Sequence, residues 1–238
     1  MRTLTRILAT AALCAPAMSA AAQSLGDIAA YAALAATPTA GVAPIARPWM
    51  SIASQRGVGV DAQWGHMSVE GASINTFTGG VTVPIASGRG DVGISAGYFS
   101  PSCDGGSCDG NFVAGGVAEG RVLQSQMQSA TFTLGLSGRV GFARPSGGSL
   151  WSASVGAPLS LAIGGTSGLQ VVPFITPAFG WGHASGGGVS ESGSRLMLGG
   201  GIGLLSASSG LGFNVGAQKV FIDGGKTVIG AGFSWSRR

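Results

Sequence analysis

The chain runs to 238 residues, room for one sizeable domain, yet only 9% of its positions are charged and its mean hydropathy is positive, a balance that threatens solubility in water. The basic excess of 13 Lys and Arg over 9 Asp and Glu shrinks to 11 over 9 once Arg2 and Arg6 are set aside, so the charge gives no reason to expect nucleic-acid binding. Beyond the first residues no stretch reaches about 18 consecutive apolar positions without Gly or polar interruption, which excludes a membrane-spanning helix.

Arg2 and Arg6, the apolar run from Ile7 to Met18 and Ala20-Ala21-Ala22 have the order of an export signal, so residues 1–22 are expected to be cleaved, with Gln23 as the mature start. Cys14 lies inside that segment, and Leu13 occupies the position where lipoprotein processing needs a small residue. Residues 23–55 differ from the rest of the chain. Ser24 and Asp27 can cap a short Ala/Leu helix through Ala36, and Pro38, Pro44 and Pro48 then mark a linker. This reads as a periplasmic N-terminal extension, with a lumen plug as the alternative.

From residue 56 onward ten segments alternate apolar with small or polar residues. The pattern is cleanest at Trp151, Ala153, Val155, Ala157, Leu159, Leu161 and Ile163, and it recurs at Phe132, Leu134, Leu136, Val140 and Phe142 and at Leu211, Phe213, Val215 and Ala217. The other segments are 56–66, 75–87, 90–100, 111–123, 169–184, 194–207 and 226–236. High apolarity without a spanning helix leaves strands closed on themselves, because only helices and closed barrels satisfy their backbone in lipid. The expected fold is therefore all-β: a closed antiparallel up-and-down transmembrane β-barrel over residues 56–238, of ten strands, with eight as the alternative. Tight turns at Ser87-Gly-Arg-Gly, Gly164–Gly168 and Ser208-Ser-Gly fall at one end, with a longer connection at 124–130. Longer loops are expected at the other end over 66–73, the cysteine segment, 144–148 and 185–194, with a tight Asp223-Gly-Gly.

Aromatics test this register independently. Trp64, Phe77, Tyr98, Phe112, Phe142, Trp151, Trp181 and Phe221 fall at one end on the lipid parity, and Phe132, Phe213, Phe233 and Trp235 at or near the other. A secreted β-sandwich would have no reason to sort its aromatics by height. An even strand count returns both termini to the same, periplasmic, side.

Several residues are candidates for chemistry. Cys103 and Cys108 lie close together with turn residues between them, and in an exported chain they are expected to form a disulfide. Asp104 and Asp109 as calcium ligands would lack the other oxygen donors such a site collects. On the lumen parity stand Asp61, Glu119, Arg121 and Arg139 with Gln63, Asn214 and Gln218, read as a mutually neutralising network in a narrow lumen, with a conduction path as the rival. Lys219, Arg144, Arg195 and Lys226 are expected near the outer rim, where they can pair with lipid phosphates or simply be solvated. No metal site or cofactor is indicated, because histidines and cysteines are few, and Gly199–Gly203 lacks the Lys-Ser/Thr ending of a phosphate loop.

The two histidines each begin a His-x-Ser sequence: His66 with Ser68 and Glu70 nearby, and His183 with Ser185 and Glu191 nearby. Residues two apart on a strand share a face, so such a histidine can deprotonate the serine while a carboxylate orients the ring. This constellation resembles that of outer-membrane lipid A deacylases, which would make His183, Ser185 and Glu191 catalytic. An omptin-like protease is less well matched, as no Asp-His pairing stands beside a second carboxylate pair.

Gly230, Phe233 and Trp235 resemble the terminal assembly signal of bacterial outer-membrane β-barrels, a superfamily whose small members include barrels of the OmpA and OmpX class. Val228 and the Ser236-Arg237-Arg238 ending depart from that signal. The resemblance implies the bacterial outer membrane, its lipid and lipopolysaccharide, and the barrel-assembly machinery as surroundings, without implying an activity. The function expected is structural or surface-interacting, toward an unspecified surface ligand and not nucleic acid. A lipid-acting hydrolase and a narrow channel are the alternatives.

Overall fold

In a computed structural model of the protein, the described residues are 57–69, 72–86, 89–103, 106–107, 111–144, 148–164, 168–186, 189–221 and 227–236. The leader at 1–22, the extension at 23–55, Glu70, Cys108 and Lys226 lie outside them, as do Asp104, Asp109 and the two terminal arginines. The elements are β1 (Gly59–Val69), β2 (Ala72–Ile85), β3 (Gly90–Cys103), the two-residue β4 (Gly106–Ser107), β5 (Asn111–Met127), β6 (Ala130–Ala143), β7 (Gly148–Gly156), β8 (Leu159–Ile163), β9 (Leu169–Gly186), β10 (Val189–Ser206), β11 (Leu211–Val220) and β12 (Thr227–Ser236).

Every neighbouring pair is antiparallel, and β1 pairs with β2 on one side and with β12 on the other, from Gly59↔Ser236 to Met67↔Val228. β9 pairs with β10 and with both β7 and β8, so the ring closes. β7 and β8 form one barrel strand. They meet β6 in the same register, Ser137↔Gly156 and Leu134↔Leu159, and are separated only at Ala157 and Pro158, where the proline has no N–H to give the ladder. β4 pairs only with the end of β3. The result is a closed ten-stranded barrel.

The strands run longer than their apolar alternation. β1 continues to Val69 and β2 resumes at Ala72, while β9 continues to Gly186 and β10 resumes at Val189. The long loops expected over 66–73 and 185–194 are therefore largely strand. Ladder hydrogen bonds need no apolar side chain, so Ser and Gly extend the hairpins past the apolar band. The connection expected over 124–130 likewise shrinks to a turn at 128–129. There the distal part of β5, exposed on both faces from Val122 to Met127, rises beyond its β3 neighbour, which ends its pairing at Gly90↔Gly120.

Alternation sorts the faces. Outward stand Phe77, Ile94, Tyr98, Phe112, Leu136, Val140, Trp151, Phe179, Phe213 and Phe233, all substantially exposed. Inward side chains fill the lumen in layers. At the end opposite the termini, Met67, Ile74, Phe99, Val113, Ala143, Met197, Val220 and Val228 make an apolar cluster. Toward the terminal end, Ala162, Val172, Phe174 and Leu205 make a second. Gly201 permits the second: a Cβ there would stand 2.9 Å from the Phe174 ring and closer still to the β11 backbone. Buried between these clusters is a polar band that includes Asp61, Gln63, Asp91, Glu119, Ser137, Arg139 and Asn214.

Candidate functional site

The polar band is the first place where chemistry concentrates. Within β1, Asp61 and Gln63 are two residues apart on one face, and Gln63 Nε2 donates to Asp61 Oδ1 at 2.6 Å. Glu119 on β5 and Arg139 on β6 form an ion pair at 2.5 Å, with both side chains 4% exposed. Leaving either ion alone in so dry a place would cost several kcal/mol, roughly, so the pair is a mutual requirement. Gln218 donates to the Met197 sulfur at 3.3 Å and so ties the polar band to the apolar cluster.

Arg121 stands apart from this network. It keeps the inward parity of Glu119 and pairs with Gly135; the β5–β6 register shifts only after it, between Arg121 and Leu123, and its guanidinium donates to Gln124 Oε1 at the exposed end of β5. Asp91, by contrast, is buried in the lumen directly across from Glu119. Its parity, opposite to that of the outward Tyr98, was available in the sequence, but its place beside the turn expected at Ser87-Gly-Arg-Gly hid it.

The second concentration is on the outer wall. The tripeptide Trp-Gly-His occurs twice, in β1 at Trp64–His66 and in β9 at Trp181–His183. Each time the rings two apart stack, with centroids 6.0 Å apart for Trp64 and His66 and 5.8 Å for Trp181 and His183. Each time the directly paired residue on the next strand holds Nδ1: Asn75 Oδ1 at 2.9 Å from His66 and Ser192 Oγ at 2.7 Å from His183.

The His183 partner is Ser192, while Ser185 shares a hydrogen bond with Ser149 at 2.9 Å. Glu191 pairs in register with Ala184, one residue off the His183↔Ser192 pair, and so points to the other face of the sheet. The structure thus brings His183 to the hydroxyl of Ser192 but not to that carboxylate. Of the second motif, the Ser68 side chain and Glu70 lie outside the described residues.

Around these motifs lies an aromatic belt. Phe142 and Trp151 meet with centroids 4.5 Å apart, and Lys219 Nζ sits 6.0 Å from the centre of the Phe221 ring. Arg195 donates to the Ser194 carbonyl at 2.6 Å. At the other end Phe233 and Trp235 point outward from β12, and Gly230 is buried. Val228 belongs to the lumen cluster, so its apolar character serves the barrel interior.

A closed lumen packed with side chains and an apolar, aromatic-belted exterior define the class: a transmembrane β-barrel. No family model matches the chain, and no curated protein matches it. Among solved structures it is similar to the outer-membrane enzyme PagL, at 14% identity over 74% of this chain and 98% of that one, with a TM-score of 0.38. It is also similar to the transport unit of the autotransporter AIDA-I from Escherichia coli, at 14% identity over 76% and 90%, TM-score 0.45. A third is LpxR from Salmonella typhimurium, at 8% identity over 75% and 99%, TM-score 0.42. All three likenesses are low in sequence and in superposition.

Proposed function

We propose that the protein is a bacterial outer-membrane barrel that works through its outer surface and not through a pore. The observation that carries this reading is the layered lumen, with an apolar cluster toward each end and the Glu119–Arg139 pair in the band between. A diffusion path would have to cross two apolar layers and displace a buried ion pair. In this reading the end opposite the termini faces outward, both termini are periplasmic, and the exposed aromatics and Lys219 contact outer-membrane lipid and lipopolysaccharide. Residues 1–22 are a removable leader, 23–55 an extension, Cys103 and Cys108 a disulfide, and Gly230, Phe233 and Trp235 the signal read by the assembly machinery. The test is conductance of the purified protein in planar bilayers. Wild type should give no stepwise current, and reproducible unitary steps would overturn the reading.

A further inference from the structure

The outer wall from β5 to β9 is not uniformly bulky. Register places Ala118 beside Gly138 and, one step nearer the end opposite the termini, Gly116 beside Val140 and Ala153 beside Trp181. The small residues leave an apolar groove of about 610 Å³, banked by Phe179 and Trp181. Directly above it, Trp151 pairs in register with His183, and the next position brings Ser149 to Ser185. Ser192 holds His183 Nδ1, which leaves Nε2 as the ring nitrogen for a ligand. Arg144, exposed and one position past the Ala143↔Leu150 pair, brings a guanidinium to the height of Ser149.

The order along the wall is thus an apolar trough, an aromatic and imidazole belt, then hydroxyls with a cation. The first motif lacks this order: Trp64 is paired in register with Phe77, and Phe77 with Tyr98, both of them large and exposed. The trough opens onto the surface that meets lipid and is continuous with it, so its natural occupant is a lipid chain. Above it, hydroxyls, an imidazole and a guanidinium suit a head that carries both phosphate and sugar hydroxyls.

We propose that this trough seats one acyl chain of a phosphorylated glycolipid in the surrounding leaflet, with the head held at His183, Ser192, Ser185, Ser149 and Arg144. The inference rests on the reading that the end opposite the termini faces outward, where such a lipid would present its head to this ledge.

Glycine chemistry supplies the test. A Cβ at Gly138 would meet nothing within 4 Å, so Gly138→Leu fills the trough without backbone strain. A Cβ at Gly120 also meets nothing within 4 Å, and that residue does not line the trough, so Gly120→Leu is the matched control. Lipid A retention by the full chain is measured by native mass spectrometry from detergent, with an unboiled gel shift reporting closure of each variant. Wild type should retain one lipid A. Gly138→Leu should retain about tenfold less, the loss of about two buried methylenes, and Gly120→Leu should match wild type. Arg144→Ala should weaken retention of lipid A but not of diacylglycerol. If Gly138→Leu opens the barrel, Gly138→Val takes its place. Equal retention by wild type and a closed Gly138 variant would overturn the proposal, as would equal loss with Gly120→Leu. Unitary conductance would sink the sealed-barrel reading instead and leave these retention ratios standing, so the two failures are distinguishable.

Discussion

The two faces of β5 and β6 carry opposite chemistry within one residue of each other. Inward, Glu119 and Arg139 are buried and ion-paired; outward, their neighbours Ala118 and Val140 are exposed on the apolar wall. The same alternation makes a dry polar interior and an oily exterior, the inverse of a water-soluble domain. The lesson is that burial here does not mean apolar. In the lumen the buried charges Glu119 and Arg139 neutralise each other, and on the wall exposure means lipid.

The contrast is broken most severely by removing a lumen charge. Arg139→Ala would leave Glu119 buried without its counter-ion and should destabilise the barrel by about 3–5 kcal/mol, read as a lower urea midpoint in detergent. Next in size is a charge on the wall. Ile94 is 73% exposed on the outer face of β3, and Ile94→Arg should cost about 2–4 kcal/mol in lipid bilayers although the same change on a water-soluble surface would cost little. An unchanged midpoint for this variant would contradict the lipid-facing assignment.

The smallest effect has the opposite sign. Thr176 is 2% exposed, and its Oγ1 has no hydrogen-bond partner. Thr176→Val should therefore be neutral or stabilise by up to about 1 kcal/mol in the same unfolding assay, because a desolvated hydroxyl is removed. A clear loss of stability would mean that this hydroxyl is engaged in the folded barrel.

Most of this contrast is readable from alternation. The parity of Trp151, Val155 and Ile163 against Ser152 and Ser160 marks outward and inward positions whatever the tertiary context, because a strand has a period of two. Alternation stops where Gly and Ser replace apolar residues, so the continuation of β1, β9 and β10 beyond the apolar band carried no signal. Nor does alternation report which residue lies across the ladder. The meeting of His183 with Ser192 instead of Ser185, the irregularity just past Arg121 and the pairing of Asp91 with Glu119 all depend on interstrand register. The trough on the wall is likewise a product of five strands, and no single segment announces it.

The most direct test of the sealed lumen and lipid-facing wall is cysteine labelling of the folded barrel in liposomes, in a chain with its native cysteines replaced by serine. Ser137→Cys places a thiol at a lumen position that is 3% exposed, and Val140→Cys places one on the wall. The account predicts that Ser137→Cys resists both water-soluble and lipophilic maleimides, and that Val140→Cys reacts only with the lipophilic one. Rapid reaction of Ser137→Cys with the water-soluble reagent would contradict it.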